Sequence, residues 1–167
     1  MIYPLKLLRG NNFDVDVFFY NPNIYPQREY HARRQEVVKY AQEANVILDA
    51  PEYVPQEFVS AVEHDVGKPQ RCLACWRMRL VKTAQEAKSK GAQYFSTTLL
   101  VSPYQDQEAL KKIGHDVGQE AGIAFYYEDF RPGFRQAHNE AHAKGIYCQK
   151  YCGCAYSEKE RNIKNKY

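Results

Sequence analysis

The sequence predicts an α/β fold with a doubly wound, mostly parallel sheet and helices on both faces. Three observations predict this class. Apolar runs rich in β-branched and aromatic residues alternate along the chain with segments of helical periodicity. Glycine, proline and asparagine stand where one pattern gives way to the next. No internal repeat or low-complexity linker interrupts the alternation, so residues 1–167 are expected to form a single domain.

The elements follow in order from these patterns. Pro22 ends the first strand because it cannot continue a hydrogen-bonded ladder, and Gly91 and Gly145 stand where two helices stop. The basic tail at residues 159–166 is expected to fray at its end. The predicted strands span residues 13–20, 46–48, 94–99 and 123–127, and the predicted helices span residues 3–9, 27–44, 56–62, 72–90, 106–118 and 134–144.

The chain opens on a helix, residues 3–9, that leads directly into a strand. In an alternating fold such a helix normally follows a strand of its own. The first strand of the sheet is therefore expected to be missing, and the domain is expected to be incomplete on its N-terminal side.

Composition limits the function classes. The net charge of +3 is compatible with a nucleic-acid partner without excluding a small anionic substrate. Many of the 14 tyrosines are expected in packing, although such rings also stack on unpaired bases. No secretory signal is visible, and no apolar stretch approaches the roughly 20 residues of a membrane helix. A cytoplasmic protein with no membrane partner is expected.

Two closely spaced cysteine pairs are the main chemical signal. Clustered cysteines in a cytosolic chain favour metal binding or redox work over structural disulfides. Cys72 and Cys75 form a C-x-x-C motif at a predicted helix start, where the helix N-terminus and Arg71 are expected to lower the thiol pKa. Cys152 and Cys154 form a C-x-C motif.

Gly153, between the second pair, lets the backbone bend so that both sulfurs converge. The two pairs make a four-thiolate site plausible, and four thiolates suit either zinc or an iron–sulfur cluster. The C-x-C spacing is less typical of zinc fingers and favours iron, without settling the metal. Cys148 is interpreted as a spectator thiol, with a fifth metal ligand as the alternative.

Other site signals are weaker. His138 and His142 are four residues apart on a predicted helix, a spacing that can bind metal, but they are interpreted as surface residues. The sequence contains neither a G-x-x-x-x-G-K-[ST] nor a G-x-G-x-x-G nucleotide loop.

Five ordered motifs resemble a known family over essentially the whole chain. They are FFYNPNI (18–24), RCLACWRMRL (71–80), TTLLVSPY (97–104), DFRPGF (129–134) and QKYCGC (149–154). Together they resemble the QueH-type epoxyqueuosine reductases. The resemblance implies a fold like that of PP-loop and related nucleotide-binding proteins. It also implies the last step of queuosine synthesis, in which an epoxide on the wobble base of tRNA is reduced to an alkene.

The resemblance further implies a 4Fe-4S cluster with an additional mononuclear iron nearby. Cys72, Cys75, Cys152 and Cys154 match the family's motif positions. Family members also carry an apolar strand and a Cys-Cys-x-x-Cys segment before the opening helix. That segment is absent from this sequence, which agrees with the missing strand, so some metal ligands are expected to be lost.

The enzyme hypothesis requires a tRNA substrate and an external electron donor. Ligands of open α/β sheets lie at the carboxyl ends of strands, so polar residues there are candidate contacts, although ordinary turn chemistry explains them equally well. Basic side chains are candidate phosphate contacts. The candidate substrate residues are Tyr20, Asn21 and Asn23 after one strand, Ser102 and Tyr104 after another, and the basic residues Arg131 and Lys150.

Two other functions stay open. One is a non-catalytic, zinc-stabilised RNA-binding domain or an inactive relative of the family. The other is a thiol–disulfide protein with a redox-active Cys72–Cys75 pair.

Overall fold

The computed structural model describes residues 1–64 and 66–164. Helices, short strands and 3₁₀ helices alternate along these residues. The helices are α1 (Ile2–Gly10), α2 (Gln27–Glu43), α3 (Pro55–Val62), α4 (Gln70–Ser89), α5 (Gln107–Ala121), α6 (Phe134–Ala143) and α7 (Ala155–Lys164). The strands are β1 (Val17–Phe18), β2 (Leu48–Asp49), β3 (Tyr94–Phe95) and β4 (Ala124–Phe125), and the 3₁₀ helices span Thr98–Val101 and Arg131–Gly133.

The strands pair in parallel, as the alternation of strands and helices predicts. β1 pairs with β2, with Val17 opposite Leu48, and β3 pairs with β4, with Tyr94 opposite Ala124. Strands among the described residues therefore form two two-stranded parallel sheets. The α/β class is confirmed, and a single doubly wound sheet stays a prediction.

The strands are shorter than their apolar runs predict. The run at residues 94–99 is paired only at Tyr94–Phe95. The chain then enters a 3₁₀ helix, because the Thr97 hydroxyl accepts a hydrogen bond from the backbone N–H of Leu99 at 3.2 Å. The strand prediction at residues 98–99 is wrong for this reason.

The predicted helices from α1 to α6 are confirmed, with shifted ends. The Asp106 carboxylate caps α5 by accepting a hydrogen bond from the N–H of Ala109 at 3.0 Å. α5 continues past its predicted end at Gly118 to Ala121, where Gly122 adopts φ +68° and ends the helix.

The largest core packs α4 and α5 against β3 and β4. A Cβ atom at Gly114 of α5 would lie 2.3 Å from the ring of Phe125, so only glycine allows this close approach of helix and strand. The buried side chains of this core are Trp76, Leu80, Ala84, Phe95, Leu100, Leu110, Val117, Ile123, Phe125 and Phe130.

Three smaller apolar clusters connect the remaining elements. The first joins α1, α2 and α6, and the second joins the loop after β1 to α2. The third joins α3 and α4 to the loop before α7. Their buried members are Ile2, Leu5, Tyr40 and Ala141; Phe19, Ile24 and Tyr30; and Phe58, Val62, Cys75 and Cys154.

α7 is the element that the sequence analysis missed. No helix was predicted after residue 144, but Ala155–Lys164 is helical. Glu160 of α7 accepts a hydrogen bond from the buried guanidinium of Arg71 at 2.6 Å, and the Tyr156 ring lies edge-on to Phe58. These tertiary contacts order the helix, and residues 165–166 of the predicted tail lie outside the described residues.

Within the described ranges, no helix combines the length and the apolar content needed to cross a membrane. The long α4 carries charged side chains along its length.

Candidate metal centre

The first cysteine pair lies in the opening turns of α4. The helix starts at Gln70, and the spacing of Cys72 and Cys75 turns both thiols toward one side. Burial raises the pKa of Cys75 to about 11. Burial also raises the pKa of Cys72, against the opposing charges of Arg71 and Lys68. The expectation that the helix N-terminus and Arg71 lower these thiol pKa values is therefore wrong, because burial outweighs them.

The second pair lies on the loop before α7, with the sulfurs of Cys152 and Cys154 3.7 Å apart. Cys154 begins the helix: its carbonyl accepts a hydrogen bond from the N–H of Glu158 and its sulfur accepts one from the N–H of Ser157. The Ser157 hydroxyl lies 2.9 Å from the Cys152 sulfur and 3.4 Å from that of Cys154.

These hydrogen bonds make the two thiols of the second pair unequal. The hydrogen bond shared with Cys154, followed by that of Ser157, lowers the pKa of Cys152. The bond with Cys152 raises the pKa of Cys154. One proton shared between the two sulfurs therefore stabilises a thiolate within this pair.

The two pairs come together although about 80 residues separate them in the sequence. Cys75 and Cys154 are buried in the same apolar cluster, against Phe58 and Val62 of α3. A negative charge on Cys152 also raises the pKa of both Cys72 and Cys75. Residues from α4 and from the loop before α7 therefore pack in one cluster, although no three of these four sulfurs lie within 4.8 Å of one another.

Arg79 supplies positive charge at this site, and the sequence analysis did not identify it. It follows Cys75 by four residues on α4, so the two side chains share a helix face. Its guanidinium lowers the pKa of Cys75 and Cys152, against the burial of both thiols. It also donates a hydrogen bond to the Asn21 side-chain oxygen at 2.8 Å. The i, i+4 spacing from a cysteine was the signal available in the sequence.

Gly153 is fixed in an unusual backbone conformation between the second pair. Its φ of +122° is a conformation that other residues rarely adopt. A Cβ atom there would lie 3.0 Å from Ile24 and 3.2 Å from an Arg33 nitrogen. The Gly153 carbonyl accepts a hydrogen bond from the N–H of Tyr25 at 2.8 Å, so the loop sits directly against the chain after β1.

Arg33 of α2 binds the backbone carbonyl groups of the same loop. This nearly buried guanidinium donates hydrogen bonds to the carbonyl oxygens of Cys152 at 3.1 Å and Tyr151 at 3.2 Å, and to the Gln149 side chain at 2.6 Å. Glu29 balances its charge at 2.8 Å. Arg33 was not identified from sequence, because only the fold brings it to the loop.

Three of the predicted substrate residues lie beside the cysteine site. The Tyr20 hydroxyl donates a hydrogen bond to Glu57 at 2.6 Å; burial and then this carboxylate raise the pKa of Tyr20, so it stays protonated. Asn21 contacts Arg79, as described above. Asn23 is buried beside Gly153, and its side-chain oxygen has no hydrogen-bond partner among the described residues.

The other predicted substrate residues lie elsewhere. Ser102 and Arg131 adjoin the two 3₁₀ helices, which pack together. The Ser102 hydroxyl accepts a hydrogen bond from the N–H of Tyr104, whose side chain is 83% exposed. Arg131 is bound to Asp129 by two side-chain hydrogen bonds, and Lys150 is exposed. No hydrogen bond within the described residues links these four side chains to the cysteines.

The donor set fits a sulfur-bound metal centre. All five cysteines carry free thiols. Soft thiolate donors select zinc, copper(I) and iron–sulfur clusters over hard cations. The 3.7 Å between the sulfurs of Cys152 and Cys154 compares with about 3.8 Å between two sulfurs bound tetrahedrally to one ion at about 2.3 Å.

Sequence comparisons place this chain among named relatives. The family model for Epoxyqueuosine reductase QueH matches residues 1–160. A Thermotoga maritima protein of that name is 38% identical over 160 residues, which cover 91% of this chain and 83% of that protein. A Dehalococcoides mccartyi protein of the same name is 34% identical, covering 95% and 87%. One from Streptococcus pyogenes is 34% identical, covering 90% and 63%. The chain therefore belongs to the epoxyqueuosine reductase QueH family, a family of oxidoreductases.

Proposed function

We propose that this chain reduces the epoxide of epoxyqueuosine to the alkene of queuosine at the wobble position of tRNA. The reaction consumes two electrons and two protons, and the epoxide oxygen leaves as water. Family membership supports the reaction class. The single structural observation that supports it most is the convergence of Cys75 and Cys154, from distant parts of the chain, in one buried cluster.

In this proposal Cys72, Cys75, Cys152 and Cys154 hold a 4Fe-4S cluster, with an additional mononuclear iron nearby. When bound, such a cluster supplies electrons one at a time, so an external donor must deliver two in sequence. Arg79 stabilises thiolate charge at the site, which favours metal binding. Arg33 and Gly153 fix the loop that presents the second pair.

The modified base is proposed to bind where Tyr20, Asn21 and Asn23 adjoin the sulfurs. Tyr20 stays neutral next to the site, and its hydroxyl oxygen can accept a hydrogen bond from a polar group of the base while it donates to Glu57. The unpaired Asn23 oxygen offers an acceptor for a polar group of the base, since a buried oxygen without a partner is costly. Unpaired anticodon bases are accessible to such edge contacts.

The second group of residues is proposed to contact the rest of the anticodon loop. Tyr104 presents an exposed ring that suits stacking on a base. Lys150 and Arg131 would meet phosphates, and Ser102 would add a hydroxyl contact. Arg131 must exchange Asp129 for a phosphate to do so.

The proposal also includes the topology of the domain and the location of the enzyme in the cell. Residues 1–167 form one domain with a doubly wound sheet, a topology supported by the parallel pairs and by the crossover helices α2 and α5 that connect their strands. A tRNA substrate implies a cytoplasmic enzyme without a membrane partner.

The proposal is tested by anaerobic purification followed by metal and sulfide analysis, then by incubation with epoxyqueuosine-containing tRNA and a chemical reductant. Formation of queuosine by protein containing iron and sulfide is the expected result. Zinc in place of iron, without turnover, would indicate the RNA-binding domain or inactive relative instead. A Cys72–Cys75 disulfide in metal-free protein would indicate the thiol–disulfide function.

A further inference from the structure

A second group of metal-ligand side chains lies at the end of α6. His138 and His142 are one turn apart and both are exposed, with ring centroids 4.5 Å apart. Cys148, after the end of the helix, approaches both of them. One ligand atom from each of the three residues lies within 4.8 Å of the others. Sequence spacing paired the histidines, but only the fold adds the thiol.

A tight turn brings Cys148 back to the helix. Gly145 adopts φ +66°, and its N–H donates a hydrogen bond to the His142 carbonyl at 3.0 Å. The N–H of Ile146 then donates to the Ala141 carbonyl at 2.9 Å. Ile146 and Cys148 both pack against the apolar cluster that contains Ala141. The thiol is therefore held beside the histidines by backbone hydrogen bonds and packing.

The charges around this group favour a cation. The partial negative charge at the C-terminus of a helix stabilises positive charge near its last turn, which contains His142. Neighbouring lysines are neutralised: Lys144 pairs with Glu43 at 3.1 Å, and Glu140 of α6 pairs with Lys6 at 2.6 Å. Each of these two lysines is therefore balanced by a carboxylate.

We propose that His138, His142 and Cys148 bind one divalent d-block ion of the zinc class, with water as a fourth ligand. Two imidazole nitrogens and one thiolate form a borderline-soft donor set that suits zinc. Tetrahedral zinc with bonds of about 2.0 to 2.3 Å places its ligand atoms about 3.3 to 3.6 Å apart. The ligand atoms now lie within 4.8 Å of one another, and rotation of the exposed imidazole rings brings them to these shorter distances.

Such an ion would fasten the cysteine-bearing segment to the scaffold. Cys148 precedes Cys152 by four residues, and the segment between them contains Gln149 and Tyr151, which Arg33 already contacts. A metal at the end of α6 therefore fixes the start of this segment, as Arg33 fixes its middle. The site shares no ligand with the four-thiol group.

Protection of Cys148 from alkylation tests the site directly. The full chain is treated with iodoacetamide in the presence and absence of zinc chloride, and the products are mapped by mass spectrometry after trypsin digestion. Cleavage after Lys144 and Lys150 isolates Cys148 in a peptide without the other cysteines. We expect zinc to slow Cys148 alkylation about tenfold or more, because a bound thiolate is a poor nucleophile. Magnesium is expected to have no effect.

Histidine variants make the test specific. H138Q and H142Q should abolish the protection, whereas H115Q, on an exposed residue of α5, should keep it. Equal alkylation rates with and without zinc in the unmodified chain would overturn the proposal, as would protection that persists in both variants. Because only the Cys148 peptide is read, this result is independent of metal binding at Cys72, Cys75, Cys152 and Cys154.

Discussion

At the scale of single residues, the cysteine loop depends on one backbone position. Gly153 combines a positive φ with side-chain neighbours that a Cβ atom would meet at 3.0–3.4 Å. Arg33 then uses the exposed carbonyls of Cys152 and Tyr151 as hydrogen-bond acceptors. The sulfurs of Cys152 and Cys154 are placed by these main-chain contacts, and Ser157 adjusts their protonation.

The G153A variant should therefore be less stable than the unmodified protein. The strained φ and the contact with Ile24 together should cost about 1–3 kcal/mol of unfolding free energy, measured by urea denaturation. The iron content of the purified G153A variant should also fall, because the second cysteine pair would be displaced. G10A is the matched control, since a Cβ at Gly10 meets nothing within 4 Å. Equal denaturation midpoints for G153A and the unmodified chain would show that the loop tolerates a side chain.

Tyr20 provides a second residue-scale prediction. The Y20F variant removes the neutral hydroxyl that binds Glu57 beside the sulfurs while keeping the ring, so the single-turnover rate at low tRNA concentration should fall about tenfold with unchanged iron content. Single-turnover assays with modified tRNA measure this. Y126F is the control, because the Tyr126 hydroxyl also donates to a glutamate, Glu128, but at a distance from the cysteines. Full activity of Y20F would remove Tyr20 from the mechanism.

At the scale of elements, α7 closes the site from the C-terminal side. Its first residue follows Cys154 directly, and the Cys154 carbonyl accepts a hydrogen bond from the N–H of Glu158, so the helix is joined to the second cysteine pair. A buried side chain of another helix, Arg71, holds α7 through Glu160 and stacks on Tyr156 at 4.7 Å. Arg71 thus stabilises the helix in addition to its effect on the pKa of Cys72.

The E160Q variant tests this docking. Glu160 also pairs with Lys68 at 2.6 Å, and its partial exposure limits the expected loss to about 1 kcal/mol. Hydrogen exchange should show faster amide exchange in α7. E120Q is the control, because the pair of Glu120 with Arg77 is exposed on both sides and should contribute about 0.5 kcal/mol or less. Unchanged exchange in α7 of E160Q would contradict the docking role.

The hydrogen bonds that Glu160 accepts from Lys68 and Arg71 also make the stability of the protein depend on pH. Although burial raises it, the pKa of Glu160 is lowered overall by hydrogen bonds from Lys68 and Arg71. A folded-state pKa below the unfolded one contributes stability that is complete above the ordinary glutamate value of about 4.3 and is lost as pH falls through the lowered value. Urea midpoints measured from pH 6 downward should therefore fall less steeply in E160Q than in the unmodified chain.

At the scale of the whole molecule, local patterns determined what could be predicted. Helix termini carry their own signals, such as the Asp106 cap and Gly145, and the predicted helices were confirmed. Strand ends carry no such signal, because pairing depends on a distant partner. The apolar run at residues 94–99 therefore predicted a longer strand than the observed one, Tyr94–Phe95.

The candidate site shows the same contrast between features that are local in the sequence and contacts that only the fold creates. Cysteine spacing identified Cys75 and Cys154 as members of one group, and the fold places them in one cluster. Arg33 reaches the cysteine loop from another helix, and Cys148 reaches His142 only through a turn. Contacts of this kind depend on tertiary structure, so spacing alone does not reveal them.

The central claim is that one metal centre is built from both cysteine pairs. Its most direct test is the iron and acid-labile sulfide content of anaerobically purified C75S and C154S variants, compared with the unmodified chain and with C148S as control. Both variants should lose most of their iron and sulfide together, while C148S keeps them. Full iron and sulfide in either C75S or C154S would show that the two pairs do not share a cluster.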